Sequence, residues 1–158
     1  MLVRLYDLPE SSPAEALRVD GIELRRALAP EKHFVVSWVR EHFGEGWAGE
    51  CDVSFSRLPI SCFRAQRGQD VLGFACYDAT AKGFFGPTGV LGPERKRGIG
   101  TALLLMTLHA MAAEGYAYAI IGGAGPADFY AKAVGAVPIA DSDPGIYANL
   151  LRSPRPPG

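Results

Sequence analysis

The chain is poor in what a polyanion-binding surface needs, because its 16 lysines and arginines are matched by 17 aspartates and glutamates, for a formal net charge of −1. Neutralising many phosphates takes a broad basic surface, so a nucleic-acid partner is disfavoured. Long apolar runs are missing too. The opening MLVRLYDLPE has no apolar core of signal-peptide length, and no window reaches the length of a membrane span. The expectation is a cytoplasmic protein with no membrane partner. Cysteine is scarce: Cys51, Cys62 and Cys76 are odd in number and show no ligand-like spacing. They read as reduced, half-buried side chains, and neither a disulfide frame nor a zinc site is indicated. His33, His42 and His109 all fall at helical positions and form no metal set, so no metal is expected.

What is present is apolar residues, 48% of the 158, enough for one domain with a sizeable core. The most informative stretch is ERKRGIGTALLL, where Arg95, Gly98 and Gly100 form Arg-x-x-Gly-x-Gly ahead of a run of helix formers. Two residues without a Cβ let the backbone turn sharply and lie flush against a ligand. The first N–H groups of a helix have no partner inside it, and the helix dipole adds positive potential there, which suits a phosphate or pyrophosphate. Arg95, Lys96 and Arg97 add three cations at the mouth. The local reading is an anion cradle.

Two better-known phosphate loops do not fit. For Gly-x-x-x-x-Gly-Lys-Ser/Thr, the interval from Gly92 to Gly98 is one residue too long and no Lys-Ser/Thr follows. For the dinucleotide fingerprint, Leu103 stands where the third glycine belongs. The wider order, VLGPERKRGIGTALL, a long helix, GYAYAII and then DFYAKAVGA, resembles the GNAT superfamily of N-acetyltransferases. The resemblance covers residues 22–137. It implies a single GNAT-like α/β (α+β) domain, a mixed central sheet with helices on both faces and a splayed, bulged central strand. It also implies acetyl-CoA as acyl-donor substrate, a primary amine as acceptor and direct attack on the thioester. On the matching positions it places cofactor contacts at Val90, Leu91, Arg95, Lys96, Arg97, Gly98, Ile99, Gly100 and Thr101, and a general acid at Tyr130. Many relatives carry an Asn seven residues before that Tyr. Gly123 stands there instead, so backbone in GGAGP is expected to meet the cofactor.

The periodicity places the other elements. Residues 1–20 read as an N-terminal extension, a possible short strand at 2–8 followed by a connector at 9–20. Residues 21–151 make the domain, and 152–158 a frayed tail. A strand at 22–27 precedes a helix after Pro30 with Val35, Trp38, Val39 and His42 on one face, His42 being structural. Residues 47–57 fit a second short helix. A hairpin turns at Gly68, and the strand at 84–91 is interrupted by GPTG, since Pro87 cannot donate to a ladder. The helix at 99–114 is apolar nearly all round and demands cover on more than its sheet side, which leaves room for a homodimer. A strand at 116–121, a helix at 126–134 and a closing pair of strands at 137–140 and 147–151 complete the order.

For the chemistry, a primary amine of pKa about 10 is only about one part in a thousand neutral at pH 7, a penalty of about 4 kcal/mol. Glu50, Asp52 and Asp78 are the base candidates, each also readable as a solvated carboxylate. Trp47, Tyr77, Phe84 and Phe85 offer an acceptor wall, with core the default for Phe84. The competing reading is a non-catalytic acyl-CoA-binding or regulatory module on the same scaffold.

Overall fold

A computed structural model describes residues 1–151. The tail expected at 152–158 lies outside the described residues. Strands β1 (Leu2–Arg4), β2 (Ile22–Arg26), β3 (Cys62–Arg67), β4 (Asp70–Tyr77), β5 (Phe84–Val90) and β6 (Tyr118–Ile121) form one mixed sheet in the order β1-β6-β5-β4-β3-β2. Helices α1 (Ala14–Val19), α4 (Ile99–Ala113) and α5 (Ala127–Val134) cover one face, and α2 (Lys32–Phe43) and α3 (Glu45–Ser54) the other. Strand alternation sets this division: Ala75 and Tyr77 of β4 point into the first core, Phe74 and Cys76 into the second. The stretch around Trp47 is helical, as its pattern predicts, and the hairpin turns at Gly68.

The long helix α4 buries Leu103, Leu104, Leu105, Leu108 and Met111, residues that point several ways round its axis. Its outer side is covered by the chain itself. Leu5 and Leu17 are buried in the same core, and the ring of His109 meets the Pro9 carbonyl at 3.0 Å. Each such leucine contributes on the order of 1.5–3 kcal/mol of burial. Part of the apolar flank that left room for a second copy is covered from within, and the stretch read as a connector contains α1.

Two expectations are corrected. The closing strands do not form: β1 occupies the outer edge of β6, with Leu2 opposite Ile120, and only Val137 joins, through a single bridge to Leu2. Residues Gly145–Tyr147 instead make a 3-10 turn after Pro144. On α2, Val36 takes the buried place given to His42, which is exposed and meets Trp38 at a tilt, with 5.0 Å between ring centroids.

The parallel contact of β5 with β6 lasts only two pairs, Phe84 with Ile120 and Phe85 with Ile121. Beyond them the strands part. Against β4 the register slips between Ala75 and Tyr77, so Gly86 and Pro87 stand where one residue would fit. The bulged, splayed strand is present at the point where Gly-Pro breaks the sequence. It leaves the β6-facing edge of β5 open from Gly86 to Val90.

Candidate active site

The cradle is built by backbone conformation. Gly98 takes the left-handed region (φ 90°, ψ −3°) and opens α4, and no side chain caps that helix. A Cβ on Gly98 would lie 3.2 Å from Pro13, so this turn needs glycine for its angle and has little room for anything larger. The first bond of the helix runs from Ala102 N to Gly98 O at 2.9 Å, which leaves the amides of residues 99–101 without helical partners. Gly98, Gly100 and Thr101 line a cavity of about 890 Å³, joined there by Arg95 and Lys96. Arg95 is held in place by its own Nε, which donates to Val90 O at 3.2 Å.

Three of the cofactor positions inferred from sequence are not among the residues lining this cavity. Arg97 turns away to Glu94 and Asp20, at 3.5 and 3.9 Å. Ile99 is buried in the core, so only its backbone is available. Leu91 borders a separate, smaller hollow, with its amide bonded to Leu72 O at 2.9 Å. Val90 and Gly123 do line the main cavity, as do Gly122, Ala124, Gly125 and Pro126 of the GGAGP turn.

The cavity follows the open edge of β5. From Phe84 to Val90 the strand rises six residues, roughly 20 Å. The anion cradle lies at the Val90 end. At the Phe84 end stand Glu50, Thr80 and Tyr147, while Trp47 lines the cavity beside Phe43, whose ring lies over Gly89. Tyr130, from α5, reaches the cavity from the side of the first core. Its ring meets Phe129 and Phe85 edge-on, at 5.1 and 6.2 Å, and burial pushes its phenol above the ordinary range. It is a protonated donor at neutral pH.

Of the three carboxylates, only Glu50 lines the cavity, where it accepts the Thr80 hydroxyl proton. Asp52 pairs with Lys32 at 3.0 Å outside it. Asp78 is consumed by structure: Arg57 Nη1 donates to it at 2.6 Å, Tyr116 Oη at 2.7 Å and the Gly83 amide at 2.7 Å. Burial and that bond to Asp78 push Tyr116 up to about 12. Arg57 also reaches Glu114, whose carboxyl burial would raise but which Tyr77 and Arg57 hold below its usual value. Tyr77 belongs to this knot, with Arg26 donating to its hydroxyl at 3.0 Å, and not to the acceptor wall. Phe84 lies outside the lining, whereas Trp47 and Phe85 are in it.

Sequence reasoning missed Thr80 and Tyr147. Tyr147 leans over Gly122: a Cβ there would lie 2.1 Å from the phenol oxygen. Burial and the nearby Glu50 charge raise its phenol. The one available signal was the paired glycine of GGAGP, which permits such an approach. The cysteines also depart from expectation. All three are fully buried, and their Sγ atoms lie within 4.8 Å of one another.

No family model and no curated protein matches the sequence. Solved structures match the fold. The GCN5-related glucosamine N-acetyltransferase region of a fungal multi-domain GH3 β-N-acetylglucosaminidase superposes with a TM-score of 0.66 at 14% identity, over 84% of this chain and 19% of that one. A GCN5-related N-acetyltransferase from Sphaerobacter thermophilus gives 0.60 at 22% identity, over 84% and 45%. A Drosophila protein gives 0.60 at 15% identity, over 85% and 45%. The chain thus spans less than half the length of each. It has the GCN5-related N-acetyltransferase fold. No helix among the described residues is long and apolar enough to cross a membrane.

Proposed function

We propose that this protein is an acetyl-CoA-dependent N-acetyltransferase that passes an acetyl group to a primary amine by direct attack on the thioester. The observation that carries the reading is one continuous cavity, with uncapped amides and two cations at one end and a carboxylate among aromatics at the other. The residues fit the donor: the amides of residues 99–101 with Arg95 and Lys96 would hold the pyrophosphate, and the open β5 edge would pair with the amides of the pantetheine arm. Bound acetyl-CoA would supply an activated acyl carbon.

The chain's own groups supply the rest. Backbone N–H at the bulge would stabilise charge developing on the carbonyl oxygen. Tyr130 would donate its proton to the departing thiolate. Glu50, the one candidate carboxylate in the cavity, would draw in the ammonium form of the acceptor, with Trp47 and Tyr147 as its walls. The engagement of Glu50 by Thr80 favours a second reading, a non-catalytic acyl-CoA-binding module.

Calorimetric titration with coenzyme A, run beside thiol release from acetyl-CoA with a panel of amines, tests both. Binding together with amine-dependent thiol release is expected. Binding with no release across the panel favours the second reading, and no binding removes both.

A further inference from the structure

On the opposite face of the sheet, three elements bring all the sulfur of the chain's cysteines to one point. Cys62 on β3 and Cys76 on β4 stand directly opposite each other in the antiparallel ladder, and Cys51 descends on them from the buried side of α3. All three are 0% exposed. We propose that Cys51, Cys62 and Cys76 form a three-sulfur site for a thiophilic ion.

The geometry needs little adjustment. Three sulfurs bound at about 2.3 Å to a shared ion lie about 3.8 Å apart in tetrahedral and about 4.0 Å apart in planar arrangement. The Sγ atoms already lie within 4.8 Å of one another, so side-chain rotation of less than about 1 Å closes the triad around an ion. The ladder fixes two of the three positions and the helix the third, a pre-organised arrangement that a set of core thiols does not require for packing. An oxygen stands beside them: Ser54 Oγ is buried and 3.7 Å from Cys76 Sγ.

The surroundings select the ion. Val35, Val39, Ala48, Ile60 and Phe74 share this core and carry no charge, so a fully ionised triad would be strongly penalised. Hard cations that take oxygen ligands gain nothing here, whereas ions that favour sulfur replace the penalty with bonds. With cadmium, binding breaks three S–H bonds, forms three Cd–S bonds and releases three protons to solvent. With arsenite, three As–O bonds are exchanged for three As–S bonds and the thiol protons leave as three waters. Neither exchange transfers electrons.

Because α3 also carries Trp47 and Glu50 into the main cavity, an ion at the triad would tie that wall to the sheet. The site itself stands independently of the acetyltransferase reading.

The test uses the full, reduced chain without oxygen, titrated with cadmium and separately with arsenite. Saturation at one equivalent per chain by either probe is expected, with sulfur-to-metal absorption for cadmium and three sulfur neighbours in X-ray absorption. Cys62→Ala should weaken binding at least 100-fold. The sulfur count on the unmodified chain decides the matter even where that variant does not fold. Failure of both probes to bind, fewer than three sulfur neighbours, or affinity unchanged in a folded Cys62→Ala protein would overturn the site.

Discussion

The phenol oxygen of Tyr147 rests on the backbone of Gly122, at a distance that leaves no space for a Cβ. Tyr147 comes from a 3-10 turn near the end of the described chain, and Gly122 directly follows β6, so this contact helps fix one wall of the Glu50 end of the cavity. In the Gly122→Ala protein the methyl would drive Tyr147 off its seat, while the cradle at the other end of β5 stays intact. Acceptor kcat/KM should fall about tenfold, equivalent to about 1.4 kcal/mol, with coenzyme A affinity unchanged by calorimetry. Equal losses at both ends would mean that Gly122 supports the fold and not the wall.

Gly98 tests the other end. Its left-handed conformation is what turns the chain so that the amides of α4 face the cavity, and Pro13 of the N-terminal segment stands against it. Alanine there meets both a backbone penalty of about 1–2 kcal/mol and a tight contact. Coenzyme A affinity should drop by at least tenfold in Gly98→Ala, measured by calorimetry, with a modest loss of thermal stability. Arg97→Ala, at a side chain that pairs with Glu94 and Asp20 outside the cavity lining, should leave that affinity within about twofold.

Acid stability has its own hot spot at Glu31. Arg25 donates two bonds to it, at 3.0 and 2.6 Å, and Arg64, only 2% exposed, donates two more, at 3.2 and 3.0 Å. Burial alone would raise this carboxyl, but the guanidinium groups and the Leu28 amide bring it down from 4.5 to about 2. A depressed folded value means full stabilisation above the unfolded value, lost as pH falls from about 4.5 through about 2. The Glu31 side chain is a quarter exposed, so about 3 kcal/mol is an upper figure. Glu31→Gln should lower the urea midpoint at pH near 7, because Arg64 loses its nearer counter-charge, and should flatten the drop in stability between pH about 4.5 and about 2.

Local chemistry made much of this legible. Arg-x-x-Gly-x-Gly announces a backbone turn before a helix, and Gly-Pro inside a strand announces a bulge, because both are properties of a few adjacent residues. What stayed hidden depends on residues far apart in the chain. The cysteines are separated by 11 and 14 positions, and only the β3–β4 register and the fall of α3 bring them together. Asp78 looked available because its consumer, Arg57, lies 21 residues away. The closing strands were expected from an apolar pattern that carries no record of β1 already holding the edge of β6.

Tyr130 gives the most direct test of chemistry at the centre of the cavity. Its ring is packed between Phe85 and Phe129, and those contacts survive removal of the hydroxyl. Tyr130→Phe should therefore keep its melting temperature and its coenzyme A affinity. If the phenol protonates the leaving thiolate, turnover should fall by about 10²-fold, within the range for a positioned general acid. The loss should shrink for a donor whose thiol leaves more readily, since a better leaving group needs the proton less. A folded variant with full turnover would place the acid elsewhere, and Tyr147, the other phenol lining the cavity, would be next to examine.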